Sequence, residues 1–215
     1  MNTEAITLLT TAASLGVLHT LIGPDHYVPF VAMGNARGWS LMRTLWITLV
    51  CGMGHVLSSV LIGTIGIALG TLVGDVAWLE ASRGDIAKWL LIAFGLVYMV
   101  WGLRAAGKRH VHTHSRGLSD NATPWVLFLV FVFGPCEVLI PLLMYPAAAV
   151  NTTLCFTVAL VFSLCTVATM LTSVVALRYG LSLLPGRVQH GLHRYSHALA
   201  GGSIFACGML IHFGL

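Results

Sequence analysis

The chain reads as an all-α polytopic membrane protein of six transmembrane helices, arranged as an inverted 3+3 repeat with Gly-Pro breaks in the first and fourth helices. Three observations predict this. Hydrophobic residues fill 57% of the 215 positions and charged residues only 8%, with a mean hydropathy of +0.89; soluble domains carry about 25% charged residues. Apolar runs of the ~20 residues a bilayer requires recur six times. Gly23-Pro24 interrupts the first run and Gly134-Pro135 the fourth, and an offset of three helices turns the second half upside down relative to the first.

The six helices are predicted near 4–34, 39–73, 86–106, 124–149, 152–181 and 195–215. They fall into a first repeat (1–107), a cytoplasmic His-rich loop (108–123) and a second repeat (124–215). The opening Met-Asn-Thr-Glu lacks the basic segment of a signal peptide, so the first run is expected to be a retained helix. It breaks at Gly23-Pro24-Asp25-His26 with Pro29 following, and the fourth breaks at Gly134-Pro135-Cys136-Glu137 with Pro141 following. Gly/Pro-interrupted helices at matching places in two halves are the best pointer to a transporter's binding site. The second run carries Cys51, His55, Ser58 and Ser59 on one helical face, with Gly52 and Gly54 permitting close helix approach. The fifth supplies Cys165, Thr166 and Thr169 at a comparable depth.

Basic residues in short loops stay on the cytoplasmic side. Arg37, Arg43, Arg104, Lys108, Arg109, Arg116, Arg178, Arg187 and Arg194 sort together, against Arg83 and Lys88 in or just after an expected outer loop at 74–85 beside Asp75, Glu80 and Asp85. Both termini then face outward from a cell (inner) membrane. The net charge of +4 falls in these loops and calls for no nucleic acid. Five cysteines without a CxxC pair argue against a disulfide framework. Two Asn-x-Thr sequons, at Asn121 and Asn151, are taken as chance, and His212 is taken as a core residue.

Ionisable groups at bilayer depth are expensive and point to a partner or a pathway. His19, Asp25 and His26 surround the first break, His55 lies near the centre of the second run, and Cys136 and Glu137 sit in the second break. Imidazole with carboxylate and at most one thiolate suits a divalent first-row metal. His19, Asp25, His26 and His55 are the expected primary ligands, with Cys136 and Glu137 completing or gating the site. His110, His112 and His114 alternate along the loop, and His190, His193 and His197 share one helical face. Both groups are candidates for accessory metal capture.

These residues carry a family resemblance. His19-Thr-Leu-Ile-Gly23-Pro24-Asp25-His26 resembles the His-Pro-x-x-Gly-x-Asp-His motif of the hydrogenase and urease accessory nickel permeases. It is also similar to the His-x4-Asp-His signature of nickel/cobalt transporters, with one residue more between His and Asp. Gly54-His55 is similar to the Gly-His-Ser element of those transporters, with Ser58 three residues on. Phe133-Gly-Pro-Cys136-Glu137-Val-Leu-Ile-Pro141 resembles the Pro-Cys-x-x-x-x-Pro pattern of DsbD-type electron carriers, which belong to the same broad lysine-exporter superfamily. A His-Gly-x-Ala-His-Gly-x-Glu element, expected of urease-accessory permeases, is absent.

What the resemblance implies is a permease, not an enzyme, for a divalent transition metal. Nickel or cobalt comes first, zinc or manganese is chemically admissible, and no organic cofactor is called for. No ATP-binding motif is present, so an ion gradient, the metal gradient or an accessory subunit would drive transport. The expected partners are the lipid bilayer and the metal ion, with room for a homo-oligomer. Three rivals remain. A thiol-disulfide carrier would pair Cys136 with Cys165. A membrane metalloenzyme would use interfacial histidine boxes. An exporter of an organic or sulfur oxyanion would want an arginine in mid-span, where none is expected.

Overall fold

A computed structural model describes residues 3–68, 73–107, 122–134, 136, 138–139, 141–143, 151–183, 185 and 195–214. The described residues form helices and no strand. In chain order these are α1 (Thr3–Ile22), a 3-10 turn (Pro24–His26), α2 (Val28–Ala36), α3 (Leu41–Ala68), α4 (Val73–Gly107), α5 (Ala122–Phe133), α6 (Thr152–Ser182) and α7 (Ser196–His212). Four helices among them are long and apolar enough to cross a membrane, over Thr3–Ile22, Leu41–Gly66, Trp78–Gly107 and Thr152–Ser182. α5 and α7, with 12 and 17 residues, are shorter.

The distribution of polarity is that of a protein in an apolar medium. Met42, Trp46, Val50, Met53, Leu57, Leu61 and Ile65 lie exposed along one face of α3. Their three- and four-residue spacing makes a continuous apolar stripe. Polar side chains go inward instead: Thr44, Thr48, His55 and Ser59 on the same helix are all buried. Intrahelical bonds such as Thr48 Oγ1 to the Thr44 carbonyl (2.9 Å) satisfy the hydroxyls.

Glycine sets how closely the helices approach. On α4 and α7, a Cβ at Gly95, Gly102 or Gly201 would run into the backbone of the facing helix. The two helices can pack this tightly only without side chains there. Gly54 on α3 meets Phe128 and Val132 of α5, and Gly52 meets Met170 of α6, as expected for a helix packed on both sides. α1 packs on α6, α3 on both α5 and α6, and α2 on α7. Gly38, at φ +62°, takes the left-handed turn into α3, a conformation that costs other residues more.

One boundary differs in substance from the sequence reading. The segment 74–85, expected as an outer loop, is the first part of α4, which runs unbroken to Gly107. Its charges explain the difference, because Glu80 pairs with Arg83 and Asp85 with Lys88, each three residues apart on one helix. Glu80 and Arg83 are buried. Arg83 is therefore an arginine inside a long apolar helix, where none was expected. Asn151 serves as the N-cap of α6, its side chain accepting from the Leu154 N–H at 3.0 Å. His212, expected in the core, is exposed against the ring of Trp89.

Candidate metal centre

The first helix stops where the sequence breaks it. Pro24 has no N–H to donate, so α1 closes with the Gly23 N–H on the His19 carbonyl (3.0 Å). The chain makes a single 3-10 turn through His26, and Pro29 starts the next helix. Glycine is required at position 23 for space, since a Cβ there would lie 2.7 Å from His26 Nδ1 and 2.9 Å from Asp25 Oδ1. The Tyr27 hydroxyl donates back across the break to the Leu21 carbonyl at 3.1 Å.

This turn brings three histidines together. The His19 and His26 ring centroids are 4.7 Å apart, and those of His26 and His55 are 5.3 Å apart. One nitrogen from each ring falls within 4.8 Å of the others. All three Nε2 atoms are buried and have no hydrogen-bond partner among the described residues. Such a group is costly to desolvate unless something binds it.

The tautomers follow from what faces the other nitrogen. His26 Nδ1 lies 3.1 Å from the Gly23 carbonyl and His55 Nδ1 lies 3.3 Å from the Phe131 carbonyl. A carbonyl only accepts, so each Nδ1 carries the proton and donates it. In the neutral ring that leaves the Nε2 lone pair as a ligand. Asp25 Oδ1 stands 3.3 Å from His26 Nδ1, the arrangement in which a carboxylate orients a metal-ligating imidazole and raises its basicity. Of the four expected primary ligands, His19, His26 and His55 converge, whereas Asp25 contacts the far side of His26.

The second break meets the site at His55. A Cβ on Gly134 would lie 3.2 Å from His55 Nδ1, so glycine again gives an imidazole room. Cys136 is fully buried, and its backbone N–H donates to Ser59 Oγ at 3.2 Å, one turn along α3 from His55. Helical geometry resumes at Leu139, whose N–H donates to the Cys136 carbonyl. Pro135 and Glu137 lie outside the described residues, as do His110, His112, His114, His190 and His193. His197 is described. Its Nδ1 stands 2.8 Å from the Tyr98 hydroxyl and its ring packs on Trp101, so it belongs to the α4/α7 contact. None of the five cysteines is in a disulfide.

A cleft of about 660 Å³ leads to the three rings. It runs between α1 and α4, past Leu18 and Ile22 on one side and Asp85 and Lys88 on the other, and His19, His26, His55 and Asp25 line it. Its walls are mainly apolar, so a cation reaching the imidazoles exchanges water for fixed nitrogen ligands.

Sequence reasoning missed Glu80 and Arg83. Ser59 Oγ donates to Glu80 Oε2 (3.1 Å), and Arg83 pairs with Glu80 Oε1. Arg83 also donates to Ser58 Oγ (2.7 Å) and to the Val132 carbonyl (2.6 Å). The i,i+3 spacing of the pair, beside a helix already marked by Ser58 and Ser59, was the available signal. No protein-family model matches the chain, and neither a curated protein nor a solved structure does.

Proposed function

We propose that the chain is a membrane permease for a divalent transition-metal cation, nickel or cobalt first, with the ion as its transported substrate. The observation that carries this reading is the set of three buried, unpartnered Nε2 atoms at the end of a cleft. Burial keeps them from water, and the Nδ1 atoms of His26 and His55 face carbonyls, so a cation is the partner that satisfies all three Nε2 atoms at once. His19, His26 and His55 are the primary ligands and Asp25 orients His26. Cys136 and Glu137 would gate the site from the second break. Zinc and manganese remain within the chemistry, imidazole favouring zinc of the two.

The inverted 3+3 reading, with six spans, has support in the packing. Exchanging first helix for fourth, second for fifth and third for sixth turns the α1/α6 contact into the α5/α3 contact, and leaves α4/α7 and α3/α6 unchanged. Both α4 and α7 carry glycines seven residues apart, Gly95 and Gly102 against Gly201 and Gly208. Rocking of one half against the other around His55 would alternate access to the site. With 74–85 helical, the remaining arginines and lysines still favour both termini outside and the 108–123 loop in the cytoplasm by the positive-inside rule.

The test is direct. Purified protein should bind nickel or cobalt stoichiometrically, and His19→Ala, His26→Ala and His55→Ala should each lose binding and vesicle uptake while melting as folded proteins. Wild type that binds nickel, cobalt, zinc and manganese no better than His26→Ala overturns the reading. Topology is tested separately with Ser115→Cys, which should be labelled only from the cytoplasmic side; labelling from outside intact cells overturns the orientation.

A further inference from the structure

The end of α5 is a partly buried helix C-terminus: the Gly134 N–H closes on the Val130 and Phe131 carbonyls (2.9 and 3.0 Å), and Pro135 has no N–H to continue the helix. Side chains from the first half of the chain add further partners. His55 Nδ1–H donates to the Phe131 carbonyl (3.3 Å). The Arg83 guanidinium donates to the Val132 carbonyl (2.6 Å) and reaches the Gly134 carbonyl at 3.5 Å. Ser59 Oγ accepts the Cys136 N–H at 3.2 Å. The positive guanidinium also sits at the negative end of the α5 dipole.

Arg83 reaches His55 from its other side as well. The Nη2 that bonds the Val132 carbonyl also donates to Ser58 Oγ at 2.7 Å, and Ser58 in turn donates to the His55 carbonyl at 2.8 Å. One buried side chain thus reaches the His55 backbone through Ser58 and holds the Val132 carbonyl, next along the chain from the Phe131 carbonyl that accepts the ring proton. Glu80, itself buried and bonded by Ser59, balances the charge, so the pair acts on the centre through geometry.

We propose that Arg83 is a positioning residue of the metal site: it caps the broken end of α5, fixes the Phe131 carbonyl that accepts the His55 Nδ1 proton, and so keeps the His55 Nε2 lone pair turned toward His19 and His26. The proposal rests on the metal reading above. Arginine is needed because its planar fork donates to several acceptors in fixed directions, which a lysine ammonium does not reproduce. By linking α4 and α3 to the second break, the same contacts tie the geometry of the ligands to the joint between the two halves.

The experiment uses cobalt(II) and the full-length protein in detergent, comparing wild type, His26→Ala, Arg83→Lys and the double variant Glu80→Gln/Arg83→Gln. The double variant removes the guanidinium without leaving a buried unpaired carboxylate. It should bind cobalt about 10–100-fold more weakly, the usual cost of losing an outer-shell partner, and X-ray absorption should count fewer than three imidazoles around the metal. Arg83→Lys keeps the charge and serves where the double variant does not fold. It should bind several-fold more weakly with the same loss of imidazole signal while melting close to wild type. Wild-type affinity with three imidazoles in a folded variant overturns the role of Arg83 and leaves the metal site standing. Wild type indistinguishable from His26→Ala removes the site, and the role of Arg83 with it.

Discussion

The two helix breaks look alike in sequence and are satisfied differently. Around Gly23-Pro24 the backbone closes on itself. The Gly23 N–H goes to His19, the His26 N–H to Gly23 and the Tyr27 N–H to Pro24, all within a few residues. Around Gly134 local closure of the Gly134 N–H on Val130 and Phe131 is joined by side chains from far along the chain: His55, Ser59 and Arg83. The difference separates two tasks. A locally closed break leaves its side chains free, and His26 points its ring into the three-histidine cluster with Asp25 beside its Nδ1. A break whose carbonyls are also held by another segment reports where that segment is, which would suit a joint between the two proposed halves.

The largest effect should come from the ligand side. His26→Ala removes a nitrogen from the three-ring set, and cobalt affinity in an equilibrium titration should fall by more than the ~10–100-fold typical of outer-shell losses. Thermal stability without metal should change far less than binding; a variant that melts early yet binds normally would invert the roles assigned to the two breaks.

Ser59→Ala addresses the second break. It strips the Cys136 N–H of its acceptor and Glu80 of a donor in a buried setting, a loss of about 1–3 kcal/mol. Melting in detergent should register it more strongly than cobalt affinity does. Unchanged melting would mean that the second break does not depend on α3.

Asp25→Asn sharpens the first break further. The amide oxygen can still accept from His26 Nδ1, but the negative charge is gone, so cobalt binding should weaken by about tenfold, with the three-imidazole count kept. An imidazole count that falls, or a carboxylate signal present in wild type and absent in the variant, would make Asp25 a ligand and not an orienting group.

Smallest of all should be Gly134→Ala. Its new Cβ would sit 3.2 Å from His55 Nδ1 and 3.1 Å from the Phe131 carbonyl, a contact relieved by a shift of a few tenths of an ångström. A several-fold drop in cobalt affinity is expected, while Gly180→Ala, which faces open space, should have none.

Much about the protein's class and the three-histidine cluster is legible in the sequence. Composition requires an apolar environment, because too few charged residues exist to cover a soluble surface. Proline lacks the N–H that continues a helix, so Pro24 marks the first break wherever the helix packs. The short spacing from His19 to His26 puts two imidazoles in reach across that break, and His55 stood out as an imidazole in an apolar helix.

Tertiary structure alone decided the rest. Which nitrogen of His26 and His55 is left for a metal depends on the carbonyls of Gly23 and Phe131, and Phe131 lies 76 residues from His55. Asp25 could equally ligate a metal or orient a ring by its sequence position, and only the side of His26 it faces distinguishes the two. Glu80 and Arg83 read as loop charges until the helix carries them inward, since an isolated charge favours water and only a buried partner reverses that preference. Local propensity and hydropathy are properties of neighbouring residues. Hydrogen-bond satisfaction in a buried site is a property of whichever distant groups the packing brings to it.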